Sequence, residues 1–196
     1  MTDRECLEFI REKYGVLLGL SALAWGHRAE ILAGIMCRET RGGTSTLLDI
    51  PGPAGRGDGG HGHGLMQIDD RSFPDFCETG PWRDPAANID KGASCLFEKQ
   101  AYIAARANGL TLTQSQVERA AIAGYNCGAR RVIQAIAAGL DIDTYTAHAD
   151  YSRKVLEYAE MYRGMAPAEE PIVMESPSPG PGKFNLLAFI LKILGR

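Results

Sequence analysis

Three of the carboxylates and both of the histidines within residues 39–69 have types and spacing that could do chemistry: Glu39, Asp58, His61, His63 and Asp69. Glu39 follows Ile31, Leu32, Ile35 and Met36 by eight, seven, four and three residues, the same-face spacings of a helix. It therefore ends a stripe expected to face the core. A carboxyl in apolar surroundings is harder to ionise, its pKa rises, and it suits a general acid at neutral pH. The alternative is a glutamate at a helix end, turned to water and paired with Arg38 or Arg41. Asp58 and Asp69 flank a segment flexible enough to fold back over that helix end. One protonated acid facing ionised carboxylates across a cleft is a layout for hydrolysing a glycosidic bond. The acid protonates the leaving oxygen and a base activates water, with the carboxyls about 6.5–9.5 Å apart for inversion. Asp58, His61 and His63 also have a metal-like His-x-His spacing, but no further ligand set accompanies them. Neither a metal nor a cofactor is expected.

The stretch RGDGGHGHGLMQIDD, residues 56–70, holds five glycines. Glycine in regular structure costs about 0.5–1 kcal/mol against alanine, so a run of them points to a backbone that turns tightly or approaches something closely. The Arg56-Gly57-Asp58 tripeptide is too short a match to an adhesion sequence to carry weight.

Helices must position these groups. The spacing predicts helices over 3–14, 27–40 (stopped by Gly42-Gly43), 85–107, 114–124, 129–138 and 148–163. Thr113-Gln114-Ser115-Gln116 has the form of a capping box. Residues 42–72 read as irregular, with a small hairpin near 64–68. No internal repeat is present.

The chain has 196 residues, 45% hydrophobic and 23% charged, with a net charge of −3. That is enough for one domain with a real core. It lacks the basic excess of a nucleic-acid surface, so no nucleic-acid partner is expected. The five cysteines, Cys6, Cys37, Cys77, Cys95 and Cys127, are odd in number and widely spaced. They read as buried free thiols rather than a disulfide framework or zinc site; nothing supports a Cys77–Cys95 bridge.

The composition divides the chain into a domain over 1–165, a Pro/Ser/Gly-rich linker over 166–183 and the apolar segment FNLLAFILKILGR over 184–196. As a helix this last segment places Asn185, Lys192 and Arg196 on one side. At 1.5 Å per residue it is about 20 Å long, short of the ~30 Å hydrocarbon core. It is expected to lie on a membrane surface or dock on protein rather than span a bilayer.

CRET at 37–40, GDGGHGHGLMQIDDRS at 57–72 and AIAGYNCG at 121–128 resemble, in order and spacing, the goose-type lysozymes and their relatives the soluble lytic transglycosylases. The likeness covers roughly residues 5–163. It implies a mainly α, lysozyme-like α+β fold, a helical domain with a small β-sheet lobe beside the active-site cleft. The implied substrate is the β-1,4 bond between N-acetylmuramic acid and N-acetylglucosamine in peptidoglycan; separately, the chain is expected to act as a monomer. By this resemblance Glu39 is the catalytic acid and Asp58 and Asp69 position the water. Gly64, Leu65, Met66 and Gln67 form the cleft floor, and Tyr125 and Asn126 line the site near the acid. The resemblance gives His61 and His63 no role; they are expected to hydrogen-bond sugar, with His63 among the substrate-binding residues, or to orient Asp58, and not to be catalytic.

Departures from the family pattern are Thr40 for a serine, Gly124 and Cys127 for two alanines, and Phe73 where many goose-type sequences carry histidine. A lytic transglycosylase needs only the glutamate, because the sugar's own 6-hydroxyl attacks. The presence of both aspartates favours hydrolysis, and a catalytically silent wall-binding protein is the non-enzyme alternative. The charged N-terminus lacks the apolar core of a signal peptide. The expected route to the wall is therefore release as a phage-type lysin, or delivery by a secretion machine.

Overall fold

Helix α2, Ala29–Thr40, is apolar all round: every residue from Ile31 to Cys37 is buried. Such a helix belongs at the centre of a fold rather than on its surface. Helices α1 (Asp3–Trp25) and α7 (Tyr151–Arg163) pack against it. Gly34 lets α7 come close, since a Cβ there would sit 2.6 Å from the Val155 carbonyl oxygen. The structure, a computed structural model, describes residues 1–106 and 112–165. The linker over 166–183 and the helix over 184–196 lie outside the described residues.

Around this centre run α3 (Pro74–Glu78), α4 (Pro85–Arg106), α5 (Gln114–Cys127) and α6 (Ala129–Ala137). Between α2 and α3 three two-residue strands form a small antiparallel sheet: β1 (Arg56–Gly57), β2 (Gly62–His63) and β3 (Ile68–Asp69). Arg56 pairs with His63, Gly57 with Gly62, Gly62 with Asp69, and His63 with Ile68. The fold is the expected mainly α, lysozyme-like class with a small sheet.

Differences from the sequence reading have local causes. Helix α1 does not stop at 14. Gly15 and Gly19 interrupt the propensity, but Leu18, Ser21 and Ala22 continue its buried face to a left-handed Gly26 cap. Residues 64–67 are a turn between β2 and β3 rather than a hairpin's strands. Helix α7 begins at Tyr151, because His148 and Ala149 hold left-handed backbone, with φ 59° and 51°. Helix α3, opened by Pro74 at its first turn, is too short to show periodicity. The capping box at Thr113 and Gln116 forms as read.

The sheet is fastened to α4 by one buried side chain. Asn88 accepts from the Met66 backbone N–H at 2.8 Å and donates to the His63 carbonyl at 3.0 Å. Gly92 receives the Met66 side chain, which a Cβ would meet at 2.8 Å. Thr40, at the end of α2, donates to the Leu65 carbonyl at 2.8 Å and accepts from the Gly43 N–H. The 63–66 segment is thus held from α2 and α4 at once.

Candidate active site

Glu39 sits in the last turn of α2, half-buried, on the wall of a cavity of about 540 Å³ that also meets Asp58, Gln67, Asp69, Tyr125 and Asn126. Its neighbours in sequence look elsewhere: Arg38 pairs with Asp150 and Arg41 with Asp3, each at 2.9 Å. The Glu39 carboxyl instead accepts from the hydroxyl of Tyr151, the first residue of α7. Burial pushes Glu39 up to about 7, against the pull of the Tyr151 hydrogen bond and the Arg38 charge; the nearby Asp58 charge pushes the same way as burial. Burial also raises the Tyr151 phenol well above its ordinary value, so it stays a donor.

Asp69 lies in β3 and Asp58 directly follows β1, and Arg71 ties them together. Its Nη2 donates to Asp58 Oδ2 at 2.8 Å and its Nε to Asp69 Oδ1 at 2.7 Å. Ser72 takes the second Asp69 oxygen at 2.8 Å. Burial pushes Asp69 up, but the Ser72 and Arg71 hydrogen bonds and the Arg71 charge outweigh it and lower its pKa. Asp58 opens the turn between β1 and β2 at φ 49°, a left-handed conformation that aspartate tolerates better than most residues.

The glycines of this lobe answer to protein atoms. Gly57 and Gly62 face each other across β1 and β2, and a Cβ on either would overlap Gln67 Oε1. Gln67, at φ 49°, donates from Nε2 to the Gly64 carbonyl at 2.7 Å, which lays its amide over the glycine pair. Gly64 has φ 74°; a Cβ there would overlap Asn88 Nδ2 and sit 2.8 Å from the Trp82 carbonyl oxygen. The close approach that the glycine run predicts is, at 57, 62 and 64, an approach to the protein's own atoms.

Other residues singled out in the sequence divide between the cavity and the layer behind it. Leu65 and Met66 have fully buried side chains, and only their carbonyls serve the site. The Leu65 carbonyl accepts from Thr40, and the Met66 carbonyl accepts from the Tyr125 hydroxyl at 2.8 Å. Asn126 lines the cavity with its Oδ1 committed to the Ala147 N–H at 2.9 Å. His61 and His63 do not orient Asp58. Both bond Asp70, at 2.9 and 3.2 Å, and hold its carboxyl below the usual range. His63 is buried edge-on against Trp82, with ring centroids 4.7 Å apart. Phe73 does line the cavity, with the Lys91 ammonium over its ring at 3.7 Å.

Sequence reasoning missed Tyr151, Arg71 and Asn88. Arg71 was open to it, since an arginine beside two aspartates in IDDRS invites a fork-shaped ion pair. Tyr151 carries no local signal.

One cavity thus holds a carboxyl that can protonate a leaving oxygen together with aspartates that can bind a polar nucleophile. No curated protein matches the chain. The family model described as lysozyme g does match, over residues 12–166, a span that includes every group of the cavity, and the chain belongs to that family, of glycoside hydrolases that cleave peptidoglycan.

Proposed function

We propose that the chain hydrolyses the β-1,4 bond between N-acetylmuramic acid and N-acetylglucosamine, with Glu39 as general acid and water delivered from the Asp58 and Asp69 side. The observation that carries this reading is the Glu39 carboxyl, pushed by burial to about 7 beside the ion-paired aspartates. Near pH 7 much of it is protonated and able to donate to the leaving oxygen. Asp58 commits one oxygen to Arg71, and its other makes no protein hydrogen bond among the described residues. Asp69 commits both. The water is therefore assigned to Asp58, and Asp69 acts through Arg71 to hold Asp58 in place. Attack from the face opposite the acid inverts the anomeric carbon. Tyr125, whose hydroxyl is engaged by Met66, offers its ring to the sugar. Asn126 offers its NH₂ group.

The pairing of both aspartates with Arg71 favours one rival, a lytic transglycosylase that uses the sugar's own 6-hydroxyl and leaves them a structural role. Mass spectrometry of glycan ends released from purified peptidoglycan separates the two. Reducing N-acetylmuramic acid ends are expected, and 1,6-anhydro ends would overturn the hydrolytic reading. Glu39→Gln should abolish cleavage while sugar binding survives. Asp58→Asn should slow hydrolysis about a hundredfold, as loss of a general base does. Full turnover by Glu39→Gln, or no fragments from the wild-type chain, would sink both readings.

A further inference from the structure

We infer that Cys6 and Cys37 form a disulfide, a modification site that staples the start of α1 to the end of α2 two residues before Glu39. The two sulfurs lie 3.1 Å apart, closer than two sulfurs in mere van der Waals contact. A disulfide needs about 2.05 Å, so closure brings them together by about 1 Å. The other thiols meet no sulfur: Cys77 approaches the Ile68 carbonyl at 3.7 Å, Cys127 the Gly128 carbonyl at 3.9 Å, and Cys95 bonds the Ser94 side chain.

The surroundings already hold the two helices in this register. Arg41, just past α2, pairs with Asp3 at 2.9 Å and donates to the Met1 and Thr2 carbonyls. Gly42 lets the Phe9 and Ile10 side chains of α1 close in, at 3.1 and 2.9 Å from where a Cβ would stand. Ion pair, glycine contact and thiol pair all lie at the same end of the α1–α2 interface.

The chemistry is thiol–disulfide exchange with a small disulfide such as oxidised glutathione. The Cys6–Cys37 bond forms as the glutathione disulfide breaks. Two electrons pass from the protein thiols to glutathione, and their two protons end on the two glutathione thiols released. Cys6 and Cys37 are 0% and 1% exposed, so no reagent reaches them in the folded chain. The bond forms while α1 docks during folding. This inference stands independently of the proposed reaction.

The test folds the full chain from denaturant in a mixture of oxidised and reduced glutathione, alkylates the remaining thiols and digests with trypsin without reduction. The expected product joins residues 5–11 to residues 29–38 and is lighter than the two peptides by two hydrogens, with Cys77, Cys95 and Cys127 alkylated. Recovery of both peptides only as alkylated thiols would overturn the assignment. Protein refolded and melted in reductant should show a Tm about 10 °C below that of the protein refolded in the glutathione mixture, given 31 positions between the cysteines. A Cys6→Ala/Cys37→Ala variant should show no such drop. An equal drop in it would place the effect at other cysteines and overturn the inference. If that variant does not fold, the peptide map of the wild-type chain decides alone.

Discussion

Tyr151 and Glu39 lie 112 positions apart in the chain, and the hydroxyl of the first donates to the carboxyl of the second. The bond favours the ionised carboxylate, so it opposes the burial that raises Glu39. Tyr151→Phe removes that opposition, and Glu39 should hold its proton to higher pH. The expected result is an alkaline limb in the kcat/KM–pH profile that begins near pH 7 in the wild type and moves upward in the variant. A limb that stays put or moves down would contradict this role for the hydroxyl.

Glu39 should also cost stability when it ionises. Its folded pKa is raised from 4.5 to about 7, so the folded state holds the proton more tightly than the unfolded one. Below pH 4.5 both states are protonated and no penalty exists. Between 4.5 and 7 the penalty grows, and above 7 it is full, about 3 kcal/mol. Glu39→Gln should therefore raise Tm at pH 8 and leave it nearly unchanged at pH 4. Thermal unfolding of the two proteins at both pH values checks this, and equal shifts would refute it.

Arg71 is 59% exposed, so its ion pairs contribute little to folding. Its work is to hold two aspartates at fixed positions. Arg71→Ala should reduce kcat about tenfold or more while changing Tm by only a degree or two. Arg71→Lys should rescue poorly, because an ammonium cannot span Asp58 and Asp69 as the guanidinium fork does. Kinetics on peptidoglycan beside a melting curve separate the two effects.

Asp143 has no exposed side-chain surface and accepts from Ser152 Oγ at 2.7 Å, the Ser152 N–H at 2.8 Å, Thr146 Oγ1 at 3.2 Å and Arg119 at 3.2 Å. Those bonds fix the first turn of α7, where Tyr151 sits. Asp143→Ala leaves the Ser152 and Thr146 donors without their acceptor, while Arg119 keeps Asp141, and should cost about 3 kcal/mol. In protein that still folds, the alkaline limb should shift in the same direction as in Tyr151→Phe.

Gly64→Ala forces a Cβ into Asn88 at a backbone φ of 74°. A loss of about 3 kcal/mol is expected, near 10 °C in Tm. Asn88→Ala leaves the Met66 N–H and the His63 carbonyl unpaired and should fall in the same range, read by the same melting curves.

The sequence revealed most of what periodicity and caps control. The stripe Ile31, Leu32, Ile35 and Met36 located Glu39 beside the core, and Thr113 and Gln116 located the start of α5. It did not reveal that α2 is buried on every side, because that depends on α1 and α7 closing around it through Gly34. It misled at Gly15 and Gly19, where packing outweighs the helix propensity of glycine. It also put Leu65 and Met66 on the cleft floor when their side chains belong to the core. A contiguous motif does not say which of its atoms face inward, and here it is the carbonyls that serve the site. Tyr151 and Asn88 were invisible because their partners lie far away in the chain.

Gln67 lies with its amide over the Gly57–Gly62 pair, and this ties three positions into one unit of inheritance. A lineage that put any side chain at 57 or 62 would first have to shorten 67, and shortening 67 frees the Gly64 carbonyl that its amide now holds. Substitutions here should arrive together or not at all, and directed evolution of this lobe would do better to randomise the three codons as a set than one by one.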